Sequence, residues 1–181
     1  YVTYATTSNA IDFGDLAQSE EADNKAGASN DTRGLIAGGH NMDKITFITI
    51  DTKGGSSTFG DLSGDIMGLA GCADETTALF GGGDVQTGSA VDYRQIEKVT
   101  IASIGDATDF GELLPDGAHA NALGALSDWT YGVWGGGYNG NKISYVTIAT
   151  GSAAADWGAD LGLQSASPSA TANWSCDGCA A

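Results

Sequence analysis

The feature that most constrains this chain is an internal repeat with a period near 50 residues. An aromatic residue followed by glycine occurs four times, at spacings of 46, 51 and 47 residues, beginning at Phe13, Phe59, Phe110 and Trp157. Ten residues before each aromatic a threonine lies in a strand-like run, at Thr3, Thr49, Thr100 and Thr147. Because self-similarity at a fixed period is typical of repeat architectures, the sequence predicts one structural unit built four times.

A pair of glycines after an apolar run provides a second anchor. It occurs in GLIAGGH (34–40), ALFGGGD (78–84) and GVWGGGY (132–138), at Gly38, Gly82 and Gly136. We expect the fourth copy near residues 173–179, where the pair is reduced to Asp177-Gly178. The chain runs ten residues from Gly39 to Thr49 but seventeen from Gly83 to Thr100, so residues 84–98 are predicted to be an insertion in one loop.

Two short motifs resemble nucleotide-binding signatures but belong to the repeat. The triplet Asp12-Phe13-Gly14 would hold magnesium in a protein kinase, yet a kinase uses it once and beside a separate catalytic loop. Here the Phe-Gly pair recurs, and Thr58 replaces the aspartate in the second copy. The glycine-rich motif at 135–140 is one instance of the glycine anchor, and no helical pattern follows it.

Each repeat contains four short β-type runs separated by clusters of Gly, Asn, Asp and Ser. In the third repeat these runs are AHANALGAL, TYGVWGGG, KISYVTIAT and AADWGADL. The helix-like residues 17–27 lie between two such runs and are interpreted as a loop. The sequence therefore predicts an all-β fold in a single domain, residues 1–181, with repeats at approximately 1–44, 45–98, 99–142 and 143–181.

The repeat unit resembles a kelch repeat, and residues 132–158 are the best match. The shared features are a strand ending in Gly-Gly, a polar turn, an aromatic-rich strand and a later aromatic anchor. The repeated sequence pattern is also similar to repeat arrays in tail-fibre and other virion proteins of aquatic phages and viruses. The resemblance implies a kelch-like β-propeller with four repeats of about 46–51 residues. The N-terminal strands are expected to complete the last blade of a closed four-bladed ring. The alternative is a segment of a larger propeller.

Composition limits the classes of partner. With 23 acidic against 7 basic residues the net charge is −16, which repels nucleic acids and anionic membranes. No apolar run approaches the ~20 residues that span a bilayer, so no membrane insertion is predicted. The cysteines Cys72, Cys176 and Cys179 leave free thiols, a local disulfide at the C-terminus and a metal site all open.

No catalytic constellation is found, and we predict that the protein is not an enzyme and needs no cofactor. His40 and His119 lie apart from any nucleophile signature, and paired carboxylates carry little weight among so many acids. An acid recurs after the Phe-Gly pair, at Asp15, Asp61, Glu112 and, one place later, Asp160. Calcium binding is one interpretation, with Asp15, Asp61 and Glu112 as weak candidates. Recurrence favours the other, in which these carboxylates accept backbone N–H bonds at a turn.

Recognition is expected where the repeats differ. The insertion carries Tyr93 and Arg94, and the equivalent loop of the third repeat carries Tyr138. Aromatic residues beside polar groups suit sugar rings and protein interfaces. The predicted function is a structural and adhesive module of an extracellular filament or virion fibre. It would contact its own copies, other fibre or virion subunits, or a surface glycan. The alternatives are an intracellular protein-interaction propeller and a glycan-binding or glycan-cleaving propeller.

Overall fold

The computed structural model describes residues 1–3, 5–7, 9–16, 23–85, 93–114, 119–138, 140–151, 153–158, 160–161 and 175–176. All regular structure within these ranges is β-strand, which confirms the all-β prediction. No helix in this described part of the chain is long and apolar enough to cross a membrane.

The strands follow the order expected from the repeat. They are β1 (Ala26–Ser29), β2 (Arg33–Ala37), β3 (Lys44–Thr49), β4 (Ser57–Asp61), β5 (Ile66–Met67), β6 (Ala70–Ala73), β7 (Thr77–Gly81), β8 (Asp84–Val85), β9 (Gln95–Thr100), β10 (Thr108–Glu112), β11 (His119–Ser127), β12 (Tyr131–Tyr138), β13 (Ile143–Thr147), β14 (Ala155–Asp156) and β15 (Ser175–Cys176). Sheet 1 has the order β1-β2-β3-β4, sheet 2 has β6-β7-β9-β10, and sheet 3 has β11-β12-β13-β14. Neighbouring strands within each of these three sheets are antiparallel. In addition, β15 pairs in parallel with β11, and β5 pairs with β8.

The turn between the first two strands of each sheet is closed by a carboxylate or amide side chain. Oδ1 of Asn30, Asp74 or Asp128 accepts backbone N–H bonds from the residues two and three places later, at 2.7–3.0 Å. This local bond favours a turn over continued strand. The N–H donors of Tyr131 and Thr130 lower the pKa of the Asp128 carboxyl, because they stabilise its charged form.

The glycine anchor after each second strand requires an unusual backbone. Gly38, Gly82 and Gly136 have φ values of 67°, 71° and 82°, and the glycine that follows each of them is also at positive φ. Two successive residues at positive φ are accessible to glycine and strained for residues with a Cβ. The pair directly follows the second strand in sheets 1 and 2, and in sheet 3 it lies near the end of β12.

Consecutive repeats are joined by backbone hydrogen bonds at the Phe-Gly pair. The carbonyl of Phe13 accepts the N–H of Gly54, and the carbonyl of Phe59 accepts the N–H of Gly105, both at 3.0 Å. A Cβ built on Gly14 would lie 2.3 Å from the Gly54 carbonyl oxygen. Glycine is therefore required at this position, because the backbone of the turn in the following repeat leaves no room for a Cβ.

The aromatic anchor packs edge-on against an aromatic residue of the third strand. Phe47 and Phe59 form such a pair with ring centroids 6.0 Å apart, and Tyr145 and Trp157 form another at 5.1 Å. In sheet 2 the ammonium group of Lys98 instead lies over the Phe110 ring, 5.8 Å from its centroid. These contacts fix the fourth strand to the third.

The N-terminal residues repeat this arrangement without being assigned as strands. Tyr1 packs edge-on against Phe13 with centroids 6.1 Å apart. Tyr1 and Ile11 exchange two backbone hydrogen bonds, of 2.7 and 2.9 Å. Tyr1 and Ile11 lie twelve and two residues before Phe13, as Phe47 and Ser57 lie before Phe59, and Phe47 pairs with Ser57 in sheet 1. The N-terminal segment therefore has the register of a third and fourth strand.

Two buried clusters form the described core. The first contains side chains of sheets 1 and 2, and the second contains side chains of sheets 2 and 3. Trp134 fills the second cluster, and its indole N–H donates to the Ala70 carbonyl at 3.1 Å. The first strands approach closely, since a Cβ on Gly71 would lie 2.3 Å from the Gly27 carbonyl oxygen. Small residues in these strands let neighbouring sheets pack against each other.

The fourth repeat is described only in part. β15 comes from the run predicted to hold the fourth glycine anchor, but Asp177, Gly178 and Cys179 lie outside the described residues. Cys72 is buried in the second core cluster. The side chains of Cys176 and Cys179 lie outside the described residues.

Candidate functional site

The third strand of each sheet carries a buried polar side chain three residues before the anchor threonine. These residues are Thr46, Glu97 and Ser144. Two of the three repeats place a small hydroxyl there, whereas sheet 2 places a carboxyl that is only 1% exposed. Structural positions recur in each repeat, so Glu97 marks a difference specific to the second repeat.

Ser63 and Tyr93 satisfy the buried Glu97 carboxyl. Oε2 of Glu97 accepts the backbone N–H of Ser63 at 3.0 Å. Oε1 accepts the Ser63 hydroxyl and the Tyr93 hydroxyl, both at 2.5 Å. A carboxyl buried without such partners would be costly. The three donors therefore explain how β9 tolerates an acid at a core position.

Burial raises the pKa of the Tyr93 phenol above its ordinary value, and its hydrogen bond to Glu97 raises that pKa further. The phenol consequently remains a protonated donor well into alkaline conditions. The ring of Tyr93 also packs against the first core cluster. Tyr93 thus fixes the end of the insertion to the core between sheets 1 and 2.

Glu97, Tyr93 and Ser63 form a structural network with limited access for substrates. The carboxyl that would act as acid or base is almost completely covered. A general acid or base must come within hydrogen-bonding reach of the group that it protonates or deprotonates. The geometry favours a role in holding the insertion in place.

The predicted recognition residue Arg94 takes part in an ion pair that recurs in all three sheets. Its guanidinium lies 3.7 Å from the Glu112 carboxylate and donates to the Leu113 carbonyl at 3.4 Å. The equivalent pairs are Lys44 with Asp61 at 2.8 Å, and Lys142 with Asp160 at 3.0 Å. In sheet 1 the pair links the first residue of β3 to the last residue of β4. Arg94 and Lys142 directly precede β9 and β13, and Asp160 follows β14.

The acids that follow the Phe-Gly anchor were expected to accept backbone N–H bonds. In the structure Asp61, Glu112 and Asp160 form ion pairs with basic side chains. Asp61 and Asp43 raise the pKa of Lys44, and Asp160 raises that of Lys142, because each carboxylate stabilises the ammonium form. Asp15 contributes its backbone carbonyl, which accepts the N–H of Ser56 at 2.9 Å. No group of three or more His, Cys, Asp or Glu side chains suited to a metal ion is found among the described residues.

The structure places Tyr93 and Arg94 at the end of the insertion and Tyr138 at the end of β12. Tyr138 is the last residue of β12, and its backbone pairs with His119. Its ring lies outside the described side chains, as do residues 86–92 of the insertion. A shared recognition surface formed by Tyr93, Arg94 and Tyr138 stays a prediction.

Asp84 lies where the insertion begins, directly after the glycine anchor of the second repeat. Its Oδ1 atom is buried and has no hydrogen-bond partner within the described part of the chain. His40 and Tyr138 occupy the same place in the other repeats, so the residue after the glycine pair varies. The site can supply a carboxylate acceptor beside the insertion.

No protein-family model and no curated protein matches this chain. The residue contacts and the internal repeat are therefore the basis for any functional assignment.

Glu97 could have been found from the sequence. Superposing Thr49, Thr100 and Thr147 places Glu97 beside Thr46 and Ser144, and a single charged residue at an otherwise hydroxyl-bearing position is a recognisable signal. Glu97 is inconspicuous in the repeat pattern because it stands where the repeats differ.

Proposed function

We propose that this protein is a non-enzymatic structural and adhesive module of an extracellular filament or virion fibre, and that its sheets are blades of a kelch-like β-propeller. The fold part of the proposal is supported by three sheets that share one antiparallel order of four strands, with β15 added to the third, and by the same junction between repeats. The resemblance to virion fibre arrays supports the location.

The first strands support a fourth blade. β6 lies against both β1 and β11, and β15 pairs with β11 while also contacting β1 and β6. A group of three first strands with β15, which comes from the second-strand run of the fourth repeat, is expected near the centre of a small propeller. In the proposed blade β15 belongs to the inner half, and an N-terminal segment (described residues 1–3, 5–7 and 9–16) supplies the outer strands.

The observation that carries the assembly function is the exposure of sheet 3 at a position that is buried in sheet 1. Trp157 is 52% exposed, whereas Phe59, its equivalent in sheet 1, is 1% exposed. A repeat junction that is covered within the chain is thus open at sheet 3. Exposed apolar residues of this kind favour a contact with another subunit.

Antibody imaging of native material tests the proposed location. A serum against the whole chain should label filaments or particle fibres outside cells, and prior incubation with the purified protein should abolish the labelling. Labelling confined to cell interiors would contradict this function and favour the intracellular interaction propeller.

A further inference from the structure

All seven basic side chains of this protein contact other groups of the same molecule. Three form ion pairs with carboxylates, two lie over aromatic rings and two donate to backbone carbonyls. They are Lys44, Arg94 and Lys142, then Lys53 and Lys98, then Arg33 and Lys25. Since 23 residues are acidic, these contacts leave a large excess of negative charge.

Part of that excess lies on exposed side chains far from a basic group. Four acidic residues are exposed and make no side-chain hydrogen bond or ion pair within the part of the chain that the structure describes. These are Asp31, Asp51, Asp65 and Glu75. Asp31 and Glu75 lie on neighbouring turns, because the Asn30 amide donates to the Glu75 carbonyl at 2.7 Å. Like charges in such positions repel one another, and a net charge of −16 destabilises the compact state.

Dissolved salt acts on two opposed sets of interactions in this molecule. It weakens the repulsion between acids, and it also weakens the ion pairs of Lys44 with Asp61 and of Lys142 with Asp160. These four side chains are between 35% and 44% exposed, and ion pairs at exposed positions contribute little to stability. The screening length falls from about 30 Å at 0.01 M salt to about 10 Å at 0.1 M, so the longer-range repulsion is reduced first. The gain from screening therefore exceeds the loss.

We infer that ionic strength sets the stability of this fold, and that the protein functions in a saline medium whose cations screen its acidic surface. The four unpaired acids lie on the β1–β2 turn, the β3–β4 turn, the β4–β5 connection and the β6–β7 turn. The negative charge is thus spread over several connections, and a diffuse atmosphere of cations is sufficient to screen it. This inference concerns the medium and does not depend on the filament function.

The test is the melting temperature of the whole 181-residue chain as a function of NaCl concentration. Raising NaCl from about 0.01 M to about 0.5 M should raise the melting temperature by about 5 °C or more. A neutral variant carries Asp31→Asn, Asp51→Asn, Asp65→Asn and Glu75→Gln. It should melt at a higher temperature than the unaltered chain in low salt, and its melting temperature should rise less as salt is added.

The matched control exchanges the two acids at the same four positions, as Asp31→Glu, Asp51→Glu, Asp65→Glu and Glu75→Asp. It keeps every charge, so its salt dependence should equal that of the unaltered chain. Circular dichroism establishes that each variant is folded before it is melted. If the neutral variant does not fold, Asp51→Asn combined with Asp65→Asn replaces it. MgCl₂ and CaCl₂ at one ionic strength should give the same melting temperature, because screening does not distinguish the two ions.

Three results would overturn the inference. One is a melting temperature that NaCl leaves unchanged or lowers, since attraction within the ion pairs would then dominate. Another is an equal rise in the neutral variant, which would assign the effect of salt to stronger burial of apolar groups. The third is a rise produced by calcium and not by magnesium, which would indicate a bound ion. Antibody imaging locates the protein independently of these melts, so failure of the filament function and failure of this inference are distinguishable.

Discussion

The α-carbon of Gly60 faces the carbonyl oxygen of Gly105 so closely that a Cβ at residue 60 would lie 2.1 Å from that oxygen. The two residues belong to consecutive repeats, 45 positions apart. Since the obstacle is backbone, one repeat must move relative to the next before any side chain fits at residue 60.

Replacing Gly60 by alanine should therefore destabilise the protein by about 1–3 kcal/mol, the usual cost of forcing atoms into a packed site. The measurement is the free energy of unfolding from urea titration. Gly64→Ala is the matched control, because a Cβ there meets nothing within 4 Å, and it should change stability by about 0.5 kcal/mol or less. Equal effects of the two substitutions would refute the proposed clash.

Removing the Tyr93 hydroxyl should cost about 1–3 kcal/mol, because Tyr93→Phe leaves the buried Glu97 carboxyl without one of its three donors. Urea titration measures this loss. Tyr145→Phe is a suitable control, since it removes a phenol hydroxyl from a ring that is held by packing against Trp157. A Tyr93→Phe protein as stable as the unaltered chain would show that the network does not hold the insertion.

The raised pKa of Tyr93 predicts a loss of stability in alkali. Folding favours the protonated phenol, so this contribution is complete below the unfolded-state pKa of 10.0 and declines as pH rises toward the higher folded-state value. Urea titrations at about pH 8 and about pH 11 should show a smaller decline for Tyr93→Phe than for the unaltered chain. Parallel declines would argue against a phenol buried beside Glu97.

Asp128→Ala should lower stability by about 1 kcal/mol, by analogy with the loss of a helix cap, since two backbone N–H groups lose their acceptor. Asp128→Asn should retain most of it, because Asn30 closes the same turn in sheet 1. The lowered pKa of Asp128 adds stability above the unfolded-state value of 3.8, which is lost as pH falls through the folded-state pKa. Thermal melts in acid should show this dependence in the unaltered chain and not in Asp128→Asn.

Chelation of divalent ions should leave the melting temperature nearly unchanged. Asp61 and Glu112 already pair with Lys44 and Arg94, so a metal ion would have to compete with those cations. Melting with a chelator, then with added calcium or magnesium, provides the measurement. A large decrease restored by calcium alone would identify a calcium site, since a ligand bound only to the folded state raises its stability.

The sequence predicted the strands because their determinants are local. Thr49, Thr100 and Thr147 each end the third strand of a sheet, and the glycine anchors directly follow the second strand in sheets 1 and 2. The turns closed by the side chains of Asn30 and Asp74 also depend on local sequence. The repeat pattern did not predict them, because the residue type at this position differs between repeats. Contacts between residues that are far apart in the sequence could not be predicted. Only the folded chain shows Ser63 against Glu97, or shows that Trp157 is more exposed than Phe59.

The junction between repeats also has a consequence for how arrays of this type lengthen. One repeat carries both the Phe-Gly anchor that accepts a neighbour's turn and the turn that donates to the neighbour on its other side, as sheet 1 does with Gly60 and Gly54. A unit that is added by tandem duplication therefore already carries the anchor and the turn that its two neighbours require. Repeat number can then change in a single genetic event, whereas a substitution at Gly60 must be accommodated by two units at once.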